Sequence, residues 1–350
     1  MKNVTYIPFN TTPYHSPDKI MEREVGKWLS DREMTNKNVA IKVHFGEDGS
    51  TRFIRSLYCR RIADAVKRKR GNPFCTDTNV LYPGKRQTST THLELASMHG
   101  YNIATLNCPV IIADGLLGKD MREVECEGDY FTSIPVASAI AEADYLIVVT
   151  HVTFHGFSGV GSAVKNIGMG CVSMEGKRRI HMATVPKVYD ERCIGCKRCL
   201  ERCRFEALQC VDKIKIDYSK CTGCGHCMGV CFPQGVFENV EEQYERFNKM
   251  LADVALSVIK DKQVLYINLL TDITSQCDCA SFTHPPVCSD KGIVISDNLL
   301  WVEQETLKLI DDGRNALSMN KLPYVTIERL KKTGNFAEHV YEVETRKEIT

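Results

Sequence analysis

No run of 18 apolar residues occurs in the 350-residue chain, which excludes a membrane-spanning helix. An excess of charge is lacking too: 45 Lys and Arg stand against 44 Asp and Glu, so no global field would draw the protein to nucleic acid or an anionic membrane. The basic stretch RRIADAVKRKR reads as the solvated face of a helix. The opening residues contain no continuous apolar segment of the signal-peptide kind, which predicts a cytoplasmic protein. Low-complexity segments are absent, and neither G-x-x-x-x-G-K-[ST] nor G-x-G-x-x-G occurs, so no nucleotide-binding signature is present. What remains is 43% hydrophobic and 25% charged residues, the balance of an ordinary globular chain. The length suits one large α/β domain with an insertion, or two domains.

Cysteine is the residue in excess, with 17 in the chain. A short secreted chain with that count would be a disulfide scaffold. A long one with C-x2-C spacing points instead to thiolates kept reduced for metal. Oxygen-sensitive sites of this kind fit an anaerobic host.

From residue 38 to about 186, short β-branched runs alternate with amphipathic stretches. NVAIKVHFG (38–46), PFCTDT (73–78), PVIIADG (109–115) and ADYLIVVTHVTF (143–154) have the density of buried strands. IRSLYCRRIADAVKRKRG and STTHLELASMHG between them carry helix start and stop signals. The pattern breaks near Lys187 and resumes after Glu238 with a long helix, VEEQYERFNKMLADVALSVIKDK. The strands QVLYINLL and GIVISDN and the helix LLWVEQETLKLIDDG follow, and the polar tail after Gly334 reads as surface. The expectation is an α/β fold, a mostly parallel sheet with helices on both faces. It is split into residues 1–186 and 239–350 by a cysteine-rich α+β insert at 187–238.

The insert holds the one internal repeat, CIGCKRCLERC (193–203) and CTGCGHCMGVC (221–231), each C-x2-C-x2-C-x3-C. Three close cysteines can wrap three corners of a cubane cluster, and the fourth ligand must come from elsewhere. Two four-thiolate zinc knuckles are the bland alternative, but zinc sites favour pairs of cysteines over such quartets. Over about 50 residues the insert resembles the bacterial two-cluster [4Fe-4S] ferredoxins. That resemblance implies two clusters with the fourth cysteines exchanged: Cys193, Cys196, Cys199 and Cys231 for one, Cys221, Cys224, Cys227 and Cys203 for the other. The first run departs from the pattern, with Arg204 where the second carries Phe232 before Pro233; a basic neighbour there would raise that cluster's potential slightly.

Most of the chain lies outside the insert, and its polar residues gather at strand ends, where open parallel sheets bind ligands. Lys42, His44 and Glu47 lie at one such end, Asp77, Thr78 and Asn79 at the next, then Asp114, then His151, His155, Lys165 and Asn166. Each has a plain reading beside the functional one. His44 and His151 are proton donors or ligands, or hydrogen-bonded structural histidines. Asp77 and Asn79 are cofactor contacts or turn formers. Lys165 follows a Gly-rich turn, where backbone amides and its ammonium could together hold a phosphate or carboxylate. CDCASFTHPPVCSD adds Cys277, Cys279, His284 and Cys288 after another strand. These thiols hold a third metal centre, act as redox or nucleophilic groups, or are packed and inert.

KVHFGEDG, TDTNVLYPGKR, IIADGLLGKD, GSAVKNIGMGC, the ferredoxin pair and INLLTDITSQCDC stand in the order of the α/β family called domain of unknown function 362, which the chain resembles over roughly residues 38 to 300. The resemblance implies an iron–sulfur protein of a type common in anaerobes, without fixing a reaction. The chain departs from the family beyond the C-x-C pair, where SDKG (289–292) and SDNLLWVEQET (296–306) replace the usual loop and helix start; Cys288 is an addition, and His284 has no family counterpart. The leading expectation is a ferredoxin-linked oxidoreductase working as a reductase. Electrons from a redox partner would cross the two clusters to a small substrate, or to a second cofactor such as a flavin, although no flavin motif is present. The alternative is a non-catalytic electron-transfer or cluster and metal assembly protein serving a partner enzyme. The two differ in whether a closed pocket lined by Lys42, His44, Asp77 and Lys165 stands at the strand ends or side chains plug them.

Overall fold

Alternation along the strands decides the architecture. In Tyr145–His151 every residue is buried; Leu146 and Val148 join one apolar cluster while Tyr145, Ile147 and Val149 join another. A strand buried on both faces needs helices on both sides. The computed structural model describes residues 4–9, 16–231, 234–311, 321–334, 336 and 342–345. Phe232 and Pro233, and most of the tail after Gly334, lie outside them.

The strands are β1 (Val4–Pro8), β2 (Asn38–Lys42), β3 (Asn72–Asp77), β4 (Val110–Ile112), β5 (Tyr145–His151), β6 (Gln263–Leu270), β7 (Gly292–Ser296) and β8 (Val343–Thr345). They form an eight-stranded sheet in the order β8-β1-β7-β6-β5-β2-β3-β4. β7 runs antiparallel to both neighbours, and every other pairing is parallel. No helix lies between β6 and β7; a parallel return requires a crossover element, so the chain comes back antiparallel.

The helices used below are α1 (Pro17–Trp28), α2 (Ser56–Arg68), α3 (Ser89–Met98), α4 (Ala163–Gly168), α5 (Met174–His181), α6 (Glu241–Ile259) and α7 (Leu299–Ile310). Ile20 and Val25 of α1 and Ile62 and Val66 of α2 cluster with Ile41, Ile147 and Ile267 on one face. On the other, Phe247, Leu251 and Val254 of α6 and Val302 of α7 cluster with Leu146, Val148 and Tyr266. Each such aliphatic side chain, fully buried, contributes about 1.5–3 kcal/mol.

The expected elements differ in two places. The run 143–154 is not one strand: β5 stops at His151, and Thr153–His155 pairs instead with Gly159–Gly161 as a separate hairpin. The tail also holds a strand that the sequence did not reveal, the partly exposed β8, which pairs with β1 at the sheet edge.

At the cysteine-rich segment, Lys187–Val188 pairs antiparallel with Phe237–Glu238. Between them Leu208–Cys210 pairs with Ile214–Ile216. Leu208, Ile214, Val236, Phe237 and Cys199 make a small apolar cluster apart from the two sheet clusters.

Candidate functional site

The parallel register sets the strand ends side by side. Lys42 closes β2, Asp77 closes β3 and His151 closes β5, while β6 ends alongside at Leu270. Lys42 Nζ lies 3.0 Å from Asp77 Oδ1 and donates to Asn166 Oδ1 at 2.8 Å. The other Asp77 oxygen takes the Arg86 guanidinium at 2.9 Å. Arg86 continues to Glu47 at 3.3 Å and to the Tyr82 hydroxyl. Burial alone would raise the Asp77 carboxyl, but Lys42 and Arg86 outweigh it and hold it far below the usual carboxylate range. Such a cluster tolerates burial only because each charge meets an opposite one.

The remaining expected contacts are also spoken for. Asn166 Nδ2 donates to the Val149 carbonyl and to Thr150 Oγ1, both at 3.0 Å. Asn79 donates from its side chain to Asp114 Oδ1 at 3.0 Å and to the Gly115 carbonyl at 2.8 Å. Lys177 reaches Thr78 Oγ1 at 2.7 Å. Lys42 and Asp77 therefore do not line the closed pocket expected at the strand ends. Lys42 is 1% exposed and Asp77 2%, and they fill the space against each other.

His151, too, is fully engaged: Nδ1 faces Asp278 Oδ1 and Nε2 faces the Thr271 carbonyl, each at 2.8 Å. Burial opposes the charged ring, but Asp278 prevails and raises its pKa. With both nitrogens held, His151 anchors the loop after β6 and has no proton free for a ligand. His44 differs. Its Nδ1 accepts from the Gly46 amide at 3.0 Å, and burial, then Arg86, drives the ring well below the usual histidine range. A neutral ring with Nδ1 accepting carries its hydrogen on Nε2.

Lys165 projects from α4. The amides at the start of that helix do not wait for an anion, because Glu303 of α7 accepts from Val164 N at 3.0 Å and from Ser162 Oγ. The expected joint anion site of amides and ammonium thus reduces to the ammonium. Among the described residues nothing pairs with Lys165, and burial, then Arg86, lowers its pKa to about 8.

Cys277 and Cys279 flank Asp278, so the His151 anchor also sets their position. The structure joins them as a disulfide. Their sulfurs and a His155 ring nitrogen lie within 4.8 Å of one another. His284, in the same loop, bonds Ser275 Oγ at 2.9 Å through Nδ1.

In the cysteine-rich segment, Cys193, Cys196, Cys199 and Cys231 line one cavity together with Cys210, Ile214 and Phe237. Burial, followed by Cys231, Cys193 and Cys196, pushes the Cys199 thiol up to about 11. Cys227 is raised likewise, by burial and then by Cys224, Cys221 and Cys203. Thiols that raise one another in this way form a donor set that a cation would relieve, and both sets suit iron or zinc.

The second set abuts the strand ends. Gly223, at φ 69°, lies so close to the His181 carbonyl that a Cβ would collide, and a Cβ on Gly225 would sit 2.7 Å from the Phe157 ring. The His226 ring stacks on Tyr82 at 5.5 Å. Arg204 donates to the Val80 and Leu81 carbonyls at 3.4 and 3.2 Å, so the basic residue in the first run makes a docking contact. Arg86, Tyr82, Asp278 and Glu303 were not singled out from sequence. Arg86 and Tyr82 sit in a turn-like stretch and Glu303 on an amphipathic helix, where no periodicity marks an inward charge.

The model of the family described as Domain of unknown function (DUF362) matches residues 39–308. Over 55 residues the chain is 40% identical to a subunit of the ion-translocating oxidoreductase complex of Methanosarcina acetivorans, a match covering 15% of this chain and 20% of that protein. Among solved structures, the lactate racemase apoprotein of Thermoanaerobacterium thermosaccharolyticum aligns at 13% identity and a TM-score of 0.43, over 78% of this chain and 51% of that one. A Thermotoga maritima protein aligns at 10% and 0.40, over 74% and 52%. No helix among the described residues is long and apolar enough to cross a membrane. With most of its length matched by the family model, the chain belongs to the DUF362 family.

Proposed function

We propose that the protein is an iron–sulfur oxidoreductase working as a reductase. Its residues 1–186 and 239–350 would form one α/β domain around a two-cluster insert, 187–238. Cys193, Cys196, Cys199 and Cys231 would hold one [4Fe-4S] cluster and Cys221, Cys224, Cys227 and Cys203 the other. Such clusters supply one-electron transfer at potentials set by their surroundings. A redox partner, such as a ferredoxin, would load them.

The observation that carries the reading is the packing of the second cysteine run against the strand ends, beside an ammonium with no ion-pair partner among the described residues. Lys165 would bind a small anionic substrate and, with its pKa near 8, hold a transferable proton close to neutral pH. His44 would offer Nε2–H as a hydrogen-bond donor. Lys42, Asp77, Arg86 and Asn166 would act as a rigid support that positions these two.

The test is iron and acid-labile sulfide on protein purified without oxygen, for the wild type and Lys165→Met. About eight irons per chain are expected in both, with substrate reduction lost in the variant and falling in the wild type as pH rises through about 8. Zinc in place of iron would sink the reading. A second reading, electron delivery to a partner protein, draws on the filled strand ends. It requires Lys165→Met to retain full activity.

A further inference from the structure

His155, Cys277 and Cys279 have no part in the reading above, yet they converge from a hairpin strand and a separate loop. His155 Nδ1 accepts from the backbone amides of Phe157 at 3.1 Å and Ser158 at 3.2 Å. Its one hydrogen is therefore on Nε2. Histidines that bind metal show the reverse arrangement, donating from one nitrogen so that the other offers a lone pair. Here a ring nitrogen lies within 4.8 Å of two sulfurs that are bonded to each other. Burial, then Lys165 and His181, keeps His155 neutral; the Lys165 ammonium acts here against the Asp278 carboxylate between the two cysteines, which is itself held by His151. Positive charge and hydrogen-bond donors are what stabilise a reactive thiolate.

The same ring lies on a short line of contacts to the second cysteine run. His155 packs edge-on to Phe157 at 6.1 Å, and Phe157 lies against Gly225, between Cys224 and His226.

We propose that Cys277 and Cys279 are a dithiol–disulfide redox centre, with His155 as its hydrogen-bond donor, that turns one-electron delivery into two-electron reduction of a small anionic disulfide. This rests on the iron–sulfur reading, because the reductant is the pair of reduced [4Fe-4S] clusters. The Cys277–Cys279 bond takes one electron from each cluster and two protons from solvent; the S–S bond breaks and two S–H bonds form. One thiolate then attacks the substrate disulfide and the other resolves the mixed disulfide. The substrate leaves as two thiols, and the protein S–S bond is restored. Lys165 would hold the negative charge of the incoming disulfide.

The experiment uses the anaerobic holoprotein, photoreduced with a deazaflavin, alkylated, and digested for mass spectrometry, with cluster-stripped protein as control. The tryptic peptide that carries both cysteines, residues 263–291, also carries Cys288, a thiol outside the disulfide, so fragmentation must locate each alkyl group. Before reduction Cys277 and Cys279 are expected without alkyl groups, and after it each with one. In the stripped protein both should stay unmodified. Added glutathione disulfide should be converted to thiol by the wild type and not by Cys277→Ser. In His155→Phe the reduced pair should alkylate about tenfold more slowly at neutral pH, with the rate profile moved to higher pH.

Clusters that bleach while Cys277 and Cys279 stay unmodified would overturn the proposal and leave the iron–sulfur reading standing. So would an extra metal ion that Cys277→Ser releases, or an unmoved pH profile in His155→Phe. Protein without iron and sulfide would sink the reading itself, and the proposed reductant with it.

Discussion

Asp77 is the residue on which the strand ends depend. It meets Lys42 through one oxygen and Arg86 through the other, and all three are buried. Removing its charge leaves two cations facing each other out of water. Asp77→Asn is expected to cost about 3–5 kcal/mol, read as a lower denaturation midpoint at unchanged iron content; a shift of under about 1 kcal/mol would mean that water enters the cluster. The pH dependence has a definite sign. Because the folded carboxyl titrates below its ordinary value, its contribution is present above about pH 4 and fades as the solution is made more acid. Asp77→Asn should remove that part of the acid sensitivity. The sequence made Lys42 and Asp77 visible as polar residues closing apolar strands, but not their pairing. They are separated by 35 positions, and Arg86, which completes the set, lies in a turn where a charge is ordinarily solvated.

At the scale of elements, two charges borrowed from elsewhere in the chain hold the pieces that carry the site. Glu303 caps α4 from α7, and burial lifts its carboxyl to about 7. A carboxyl raised on folding favours the folded state most below its unfolded pKa, so stability should fall from about pH 4.5 to 7 and then level off. Glu303→Gln should flatten that slope while keeping a carbonyl for Val164 N. Glu303→Ala should cost about 1–2 kcal/mol, the range for losing a cap. Thermal unfolding across that pH range separates the two, and equal behaviour would exclude capping. His151 does the corresponding work for the loop after β6. Its raised pKa means that its grip on Asp278 is complete below about pH 6.5 and weakens as pH climbs through the raised value. His151→Gln should make residues 271–291 easier to cleave by protease at neutral pH, with the sheet intact; unchanged cleavage would show that the loop holds without the pair. The strands themselves were legible because β-branched density survives any context. The misread run at 143–154 shows the limit: Thr153–His155 is as strand-like as β5, and only the glycines that follow turn it into a hairpin of its own.

For the whole molecule the question is how firmly the cysteine-rich segment is fixed to the sheet. Its composition announced the two runs, and the ferredoxin resemblance implied how their cysteines would be shared, but nothing in the spacing said which run would face the strand ends. Shape decides that. Gly223 and Gly225 let the second run approach His181 and Phe157 where any side chain would collide, and Tyr82 stacks on His226 from the side of β3. Arg204 adds hydrogen bonds to the Val80 and Leu81 carbonyls, each worth about 1.5–3 kcal/mol when the donor is charged and shielded. The segment 80–82 that receives them leads directly into Arg86 and the Asp77 cluster, so a loosened insert should be felt at the strand ends. Arg204→Ala is expected to leave the iron content unchanged, since it removes no thiol. Amide hydrogen exchange at residues 80–82 should nevertheless quicken by roughly tenfold or more, the factor that 1.4 kcal/mol represents. Faster exchange confined to residues 193–203 would mean that Arg204 steadies its own cluster loop and that the glycine contacts alone hold the insert in place.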